Sequence, residues 1–183
     1  SEPVSAQVMV DFETAFRNVG VSSAALWACY AMAENAFAVT HSGGPSEPPR
    51  FIHVDKERFA EGRAEQAPAG LPLTSCGVGI DGCHVRVVDE QRKELPEGRI
   101  GEIALKSPFM LREYIRSPDL TRTAIDEQGW YHSGDLGFQL EGRLYVTGRK
   151  KELLIVGGRN FYPQDIEAIA GHCEGAVPGR AVA

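Results

Sequence analysis

Apolar residues near the start of the chain recur at spacings of three and four. Val8, Phe12, Ala15, Phe16 and Val19 share one helical face, which predicts an amphipathic helix over residues 5–18. Ser5 can cap its start and Gly20 can end it. Residues 24–33 are short and apolar and read as a buried strand entering a turn; Phe37, Ala38, Val39 and Thr40 suggest another short strand. Residues 41–49 are a loop by composition, Phe51 to Val54 are strand-like, residues 55–63 are charged and weakly helical, and residues 67–72 are loop again. From residue 73 the pattern is mostly β, with Val85, Val87 and Val88 in one strand and Ile100, Ile103, Ala104 and Leu105 in another. Phe138-Gln139-Leu140 and Leu144-Tyr145-Val146, joined through Glu141-Gly142, predict a hairpin. Ser117-Pro118-Asp119 predicts a short helix with Ser as cap and Pro in the first position. Leu153 to Val156 reads as a buried strand, followed by a helix over residues 163–170 with Ile166, Ile169 and Ala170 inward and Gly171 as its stop.

Composition narrows the class. A length of 183 residues allows one domain, or one and part of another. Hydrophobic residues at 43% and charged residues at 24% are ordinary globular usage, which excludes a fully disordered chain, collagen and coiled coil. A net charge of −6 gives no global attraction for nucleic acid or anionic membrane. The apolar run 24–33 is shorter than the roughly 20 residues of a transmembrane helix. Four cysteines without a CxxC pair point to a reducing, cytoplasmic setting, and the acidic opening has no signal-peptide core. The two ends do not read as natural domain termini, so the chain is expected to be an internal fragment.

Several local signals have structural explanations. Gly77-Val78-Gly79-Ile80-Asp81-Gly82 matches the dinucleotide-binding glycine pattern, but a strand-like alternation follows where that pattern needs a helix. Cys76, Cys83 and His84 fit no common zinc spacing. His132, Ser133 and Asp135 are too close in sequence to signal a catalytic triad, whose members come from distant segments. Arg149-Lys150-Lys151, followed by Glu152, reads as a solvated strand edge.

Three segments are unusual together: Tyr30-Ala31-Met32-Ala33-Glu34, then Gly129-Trp130-Tyr131-His132-Ser133-Gly134-Asp135, then the run from Gly148-Arg149-Lys150-Lys151-Glu152 through Gly157-Gly158-Arg159-Asn160-Phe161-Tyr162-Pro163 to Glu167. In that order they resemble three core motifs of the adenylate-forming (AMP-binding) enzymes. The form is most similar to the fatty acyl-AMP ligases. The resemblance covers almost the whole chain, with residues 44–72 similar to the insertion that marks this branch.

The resemblance implies an α/β fold with α+β character here. Residues 1–150 would be the C-terminal part of the large AMP-binding domain, with a β-rich, barrel-like subdomain at 73–148. Residues 151–183 would be the hinge and the start of the small C-terminal domain. It implies a ligase that uses ATP and Mg²⁺ to convert a fatty acid to acyl-AMP and pyrophosphate. The acyl group would then pass to an acyl carrier protein or polyketide synthase in lipid or polyketide biosynthesis. By resemblance, Ser1, Glu2, Tyr30, Met32, Ala33, Asp135 and Arg149 would bind AMP, with Tyr30 packing on the adenine and Asp135 accepting from the ribose hydroxyls. Glu34 would hold Mg²⁺, Lys151 would mark the hinge, and Gly157 and Gly158 would flank the pantetheine path.

Two positions depart from the family pattern: Ala31 stands where Gly is usual, and Lys151 where Asp is frequent. No Ser/Thr/Gly-rich phosphate loop with a Lys is present, nor the family's C-terminal catalytic Lys, so no catalytic residue is assigned and the isolated chain is expected to be inactive. Two other readings stay open: a fatty acyl-CoA synthetase, which the insertion disfavours, and a non-catalytic remnant or nucleotide-binding module.

Overall fold

A computed structural model describes residues 3–44, 47–177 and 180–183, with residue 164 described by its backbone only. Helix α1 (Ala6–Phe16) starts where expected: Ser5 is extended and its hydroxyl accepts the Val8 N–H at 3.3 Å. A 3-10 turn (Arg17–Val19) and Gly20 end it. Its apolar stripe is not covered, since Val8 and Val19 are 65% and 75% exposed. Periodicity identifies an apolar face but not what lies against it.

The strand expected over residues 24–33 is shorter than its apolar run. Ser23–Ala25 form a 3-10 turn, and only β1 (Cys29–Ala31) is extended. It pairs antiparallel with β2 (Ala38–His41). Next come β3 (Phe51–Val54), α2 (Lys56–Ala60) and β4 (Leu71–Thr74). Residues 71 and 72, expected in a loop, pair with Val54 and His53. Asp55 caps α2 by accepting the Glu57 and Arg58 N–H groups.

Strand β5 (Val78–Gly79) joins β2. Strands β6 (His84–Val88), β7 (Gly101–Lys106), β8 (Tyr131–Leu140) and β9 (Arg143–Arg149) form a four-stranded antiparallel sheet in that order. Every strand pair among the described residues is antiparallel, the α+β character expected. The predicted β8–β9 hairpin turns through Glu141 and Gly142, both at positive φ (51° and 69°), the geometry of a tight two-residue turn. The dinucleotide-like glycine run leads into β6, not a helix, and a side chain on Gly77 would collide with the His41 carbonyl. That glycine serves close backbone packing.

The four-stranded sheet has a core on each face because neighbouring side chains alternate. Val87, Ile103, Leu105, Tyr131, Leu144 and Val146 face a core that also holds Tyr30 and Val39. Leu136, Phe138 and Tyr145 face the other way, against Val54, Phe59 and Ala64 of the 44–72 segment and Tyr162. That segment is therefore packed against the sheet. The two sheets are joined where Cys76 donates to the Leu144 carbonyl and Leu144 to the Gly77 carbonyl, both at 2.8 Å.

Helix α3 (Pro118–Ala124) begins at Ser117, but no Ser117 side-chain cap forms; its carbonyl accepts the Thr121 N–H instead. After β9 come a 3-10 turn (Lys150–Glu152), the two-stranded hairpin β10 (Leu154–Val156) with β11 (Arg159–Phe161), and α4 (Pro163–Ala170). The burial expected here is not observed: Ile155 and Ile169 are 67% and 72% exposed, and Tyr162 is the residue that enters the core. A lone hairpin and one helix have too little surface to bury those side chains.

Asp126 organises the loop before β8. Its Oδ1 accepts the Gln128 and Trp130 N–H groups, both at 2.9 Å, and its Oδ2 accepts from His132 Nε2 at 3.0 Å. Arg86 lies 3.5 Å from the same carboxylate and 4.0 Å above the Trp130 ring. Partial burial opposes ionisation, but the hydrogen bonds from His132 and the two backbone groups outweigh it and hold the carboxyl below its usual range.

Two predictions follow from this packing. A depressed carboxyl pKa gives stability above the ordinary carboxylate range that is lost as pH falls through the depressed value. Asp126→Asn is therefore expected to cost about 1–3 kcal/mol at neutral pH and to flatten the acid limb of stability, read by urea titrations across pH. All four cysteines are free; Cys29 and Cys173 are exposed, Cys76 and Cys83 buried. Burial pushes the Cys76 thiol up to about 11 and raises Cys83 too. A thiol-reagent titration is expected to find Cys29 and Cys173 fast in the native protein, and Cys76 and Cys83 only after denaturation.

Candidate nucleotide site

The β8–β9 register sets Asp135 directly opposite Arg149. Asp135 is 3% exposed, and an isolated charge at that depth is costly, so the carboxylate needs partners. Tyr30, from β1 and 105 positions away in sequence, donates its hydroxyl to Asp135 Oδ2 at 2.6 Å. Arg149 Nε lies 3.3 Å from Oδ1 as an ion pair. Its N–H is not aligned for a hydrogen bond, and the enclosed Oδ1 has no hydrogen-bond partner among the described residues. The carboxylate therefore has one oxygen held and one with acceptor capacity left.

Tyr30 presents its hydroxyl to this site, not its face. The ring is 1% exposed, packed in the core, so no face is open to an adenine as the sequence reading expected. Burial, then the Asp135 charge, raises the phenol strongly and keeps it a donor. Ala31 sits at the bulge where β1 changes register against β2.

Glu34 is carried by a 3-10 turn (Ala33–Asn35) just after β1. Buried Asn35 anchors the turn, donating to the Ala38 carbonyl at 2.7 Å and accepting from Ser107 Oγ. Glu34 Oε1 accepts from Tyr114 at 3.3 Å, and the Tyr114 and Tyr131 hydroxyls are 3.0 Å apart. With Tyr114 donating to the Glu34 carboxylate, Tyr131 donates to Tyr114, a short relay ending on the carboxylate. Burial, the bond to Tyr114 and the Glu34 charge raise the Tyr131 phenol. Tyr131 belongs to the same core cluster as Tyr30, and the β7–β8 register shifts between it and Asp135, where Gly134 has a φ of 72°.

The remaining expected residues are placed as follows. Met32 packs on the Tyr30 core, while Ala33 is exposed at the start of the turn. Lys151 is exposed in the turn after β9, and Gly157 and Gly158 form the β10–β11 turn. Ser1 and Glu2 lie outside the described residues. Sequence reasoning missed Tyr114, which had no distinguishing signal, and Glu102, which accepts from the Gly134 N–H at 3.0 Å and from Lys150 at 3.1 Å. Tyr131 stood inside a recognised motif without a role. A cleft of 630 Å³, lined by Tyr114, Tyr131, Ser133, Gly134, Glu102 and Lys150 among others, opens beside these groups.

Among the described residues no three His, Cys, Asp or Glu side chains converge as a metal cage. Glu34 supplies a single hard oxygen donor group. That fits Mg²⁺, which commonly takes one or two carboxylates and fills its shell with water and phosphate oxygens.

Comparison with known proteins identifies the family. The model of the AMP-binding enzyme family matches residues 1–115. Long-chain-fatty-acid–AMP ligase FadD32 of Mycobacterium marinum is 37% identical, over 93% of this chain and 30% of its own length. A structure from a study of fatty acyl-adenylate ligases of E. coli and L. pneumophila matches with a TM-score of 0.90 at 33% identity, covering 100% of this chain and 34% of that one. A fatty acyl-adenylate ligase from L. pneumophila, solved with acyl adenylate and pyrophosphate, matches with a TM-score of 0.76 at 34% identity, over 95% of this chain and 32% of its own. The chain spans about a third of the length of these relatives. No described helix is long and apolar enough to cross a membrane. By family match, sequence identity and superposition, this chain belongs to the AMP-binding, adenylate-forming enzymes.

Proposed function

We propose that the chain is the middle part of a fatty acyl-AMP ligase acting in a reducing, cytoplasmic setting. Residues 1–150 would close the large domain, with 44–72 as the branch insertion and 73–148 as the β-rich subdomain. Residues 151–183 would hold the hinge at Lys151 and open the small domain. The observation that carries the reading is the buried Asp135 carboxylate, held by Tyr30 and paired with Arg149, with Oδ1 left to accept.

The reaction joins a fatty-acid carboxylate to the α-phosphorus of ATP and releases pyrophosphate. Two anions must meet, so orientation and charge neutralisation carry most of the catalysis. Asp135 would accept from the ribose hydroxyls and fix the nucleoside, while Arg149 balances its charge. Glu34, oriented by the tyrosine relay, would hold Mg²⁺, which supplies charge neutralisation at the phosphates when bound. The phosphate loop and the second-domain lysine would come from other parts of the ligase, so the isolated chain would lack adenylation activity. An acyl carrier protein or polyketide synthase would then take the acyl group for lipid or polyketide assembly. The packing of the 44–72 segment against the sheet and Tyr162 supports an insertion that restrains the small domain.

The test uses the complete ligase carrying this segment. It is expected to give fatty-acid-dependent ATP–pyrophosphate exchange and to load a phosphopantetheinylated carrier protein in preference to CoA. Glu34→Gln is expected to lower exchange about a hundredfold, and the isolated chain to give no ATP-dependent hydroxamate. Efficient acylation of CoA, or full activity of Glu34→Gln, would contradict the assignment.

A further inference from the structure

We propose that Tyr30 is a positioning residue for Asp135, acting through its hydroxyl, and that this contact sets the enzyme's discrimination for a ribose over a deoxyribose nucleotide. The inference rests on the ribose role proposed for Asp135. The ring of Tyr30 is enclosed, while its hydroxyl meets Oδ2 at 2.6 Å, a short charge-assisted bond. The ion pair with Arg149 falls on the other oxygen without hydrogen-bond alignment, so Arg149 balances charge but fixes orientation poorly.

Ser133 Oγ donates to the Ile103 carbonyl at 2.7 Å and accepts the Asp135 N–H at 3.1 Å, so it fixes the Asp135 backbone, and it also lies against the Tyr30 hydroxyl. Among the described residues Tyr30 is the hydrogen-bond donor to the Asp135 carboxylate and so sets its side-chain rotamer. A carboxylate held on Oδ2 directs its free acceptor sites on Oδ1 at a fixed angle. A pair of hydroxyls is read best by acceptors that do not reorganise on binding.

A stacking role and a positioning role make opposite predictions for Tyr30→Phe, which keeps the ring and removes the hydroxyl. Binding of ATP, 2′-deoxy-ATP and 3′-deoxy-ATP would be measured calorimetrically on the complete ligase, with thermal melts as the folding control. Tyr30→Phe is expected to weaken ATP about tenfold while changing the deoxynucleotides little, so the ribose preference collapses. The Tyr30→Phe/Asp135→Asn double variant is expected to be no worse than Asp135→Asn alone. Wild-type discrimination in Tyr30→Phe, beside lost discrimination in Asp135→Asn, would overturn the positioning role and leave the Asp135 reading standing. Intact discrimination in Asp135→Asn would overturn both. Should Tyr30→Phe fail to fold, 3-fluorotyrosine at this position keeps the shape and strengthens the donor. It is expected to shift the ribose-to-deoxyribose ratio about twofold; an unchanged ratio would overturn the proposal.

Discussion

A carboxylate that is 3% exposed is the constraint around which the candidate site is arranged. Burying an unpaired charge is far more costly than burying a paired one, so the fold must bring partners to Asp135. One comes from cross-strand register, which sets Arg149 opposite it. The other comes from a different sheet: Tyr30 reaches Asp135 because β1 and β2 are tied to β9 through Cys76, Gly77 and Leu144. The hydrogen bonds between the sheets thus position the side chains of the site.

The second carboxylate is handled differently. Glu34 stays partly accessible on a turn anchored by buried Asn35, and two tyrosines orient it without neutralising it. The two environments suit two tasks. A closed, fixed acceptor reads neutral hydroxyl groups, whereas an accessible hard oxygen donor can share a cation with water and phosphate.

Much of this was legible along the chain. The β8–β9 hairpin followed from alternation and a Glu-Gly turn, and the α1 start from Ser5, because both depend on local residues. The alternation after Gly82 correctly excluded a phosphate-binding helix. What lay against each face was not legible. The stripes of α1 and α4 were read correctly as apolar, yet Val19 and Ile169 are largely exposed. The motifs singled out Tyr30 and Asp135, but not that the two would meet through the Tyr30 hydroxyl with its ring enclosed. Tyr114 carries no periodic or spacing signal; only tertiary packing brings it to Glu34.

The central claim is that Asp135 is a preset acceptor for the nucleotide's ribose. The most direct measurement is a crystal structure of the complete protein with an acyl-adenylate bound. The account predicts Asp135 Oδ1 within hydrogen-bond distance, roughly 2.5–3.2 Å, of a ribose hydroxyl, with the Tyr30 hydroxyl still on Oδ2. A ribose bound away from Asp135, or Asp135 turned wholly to Arg149 with the Tyr30 contact broken, would contradict it.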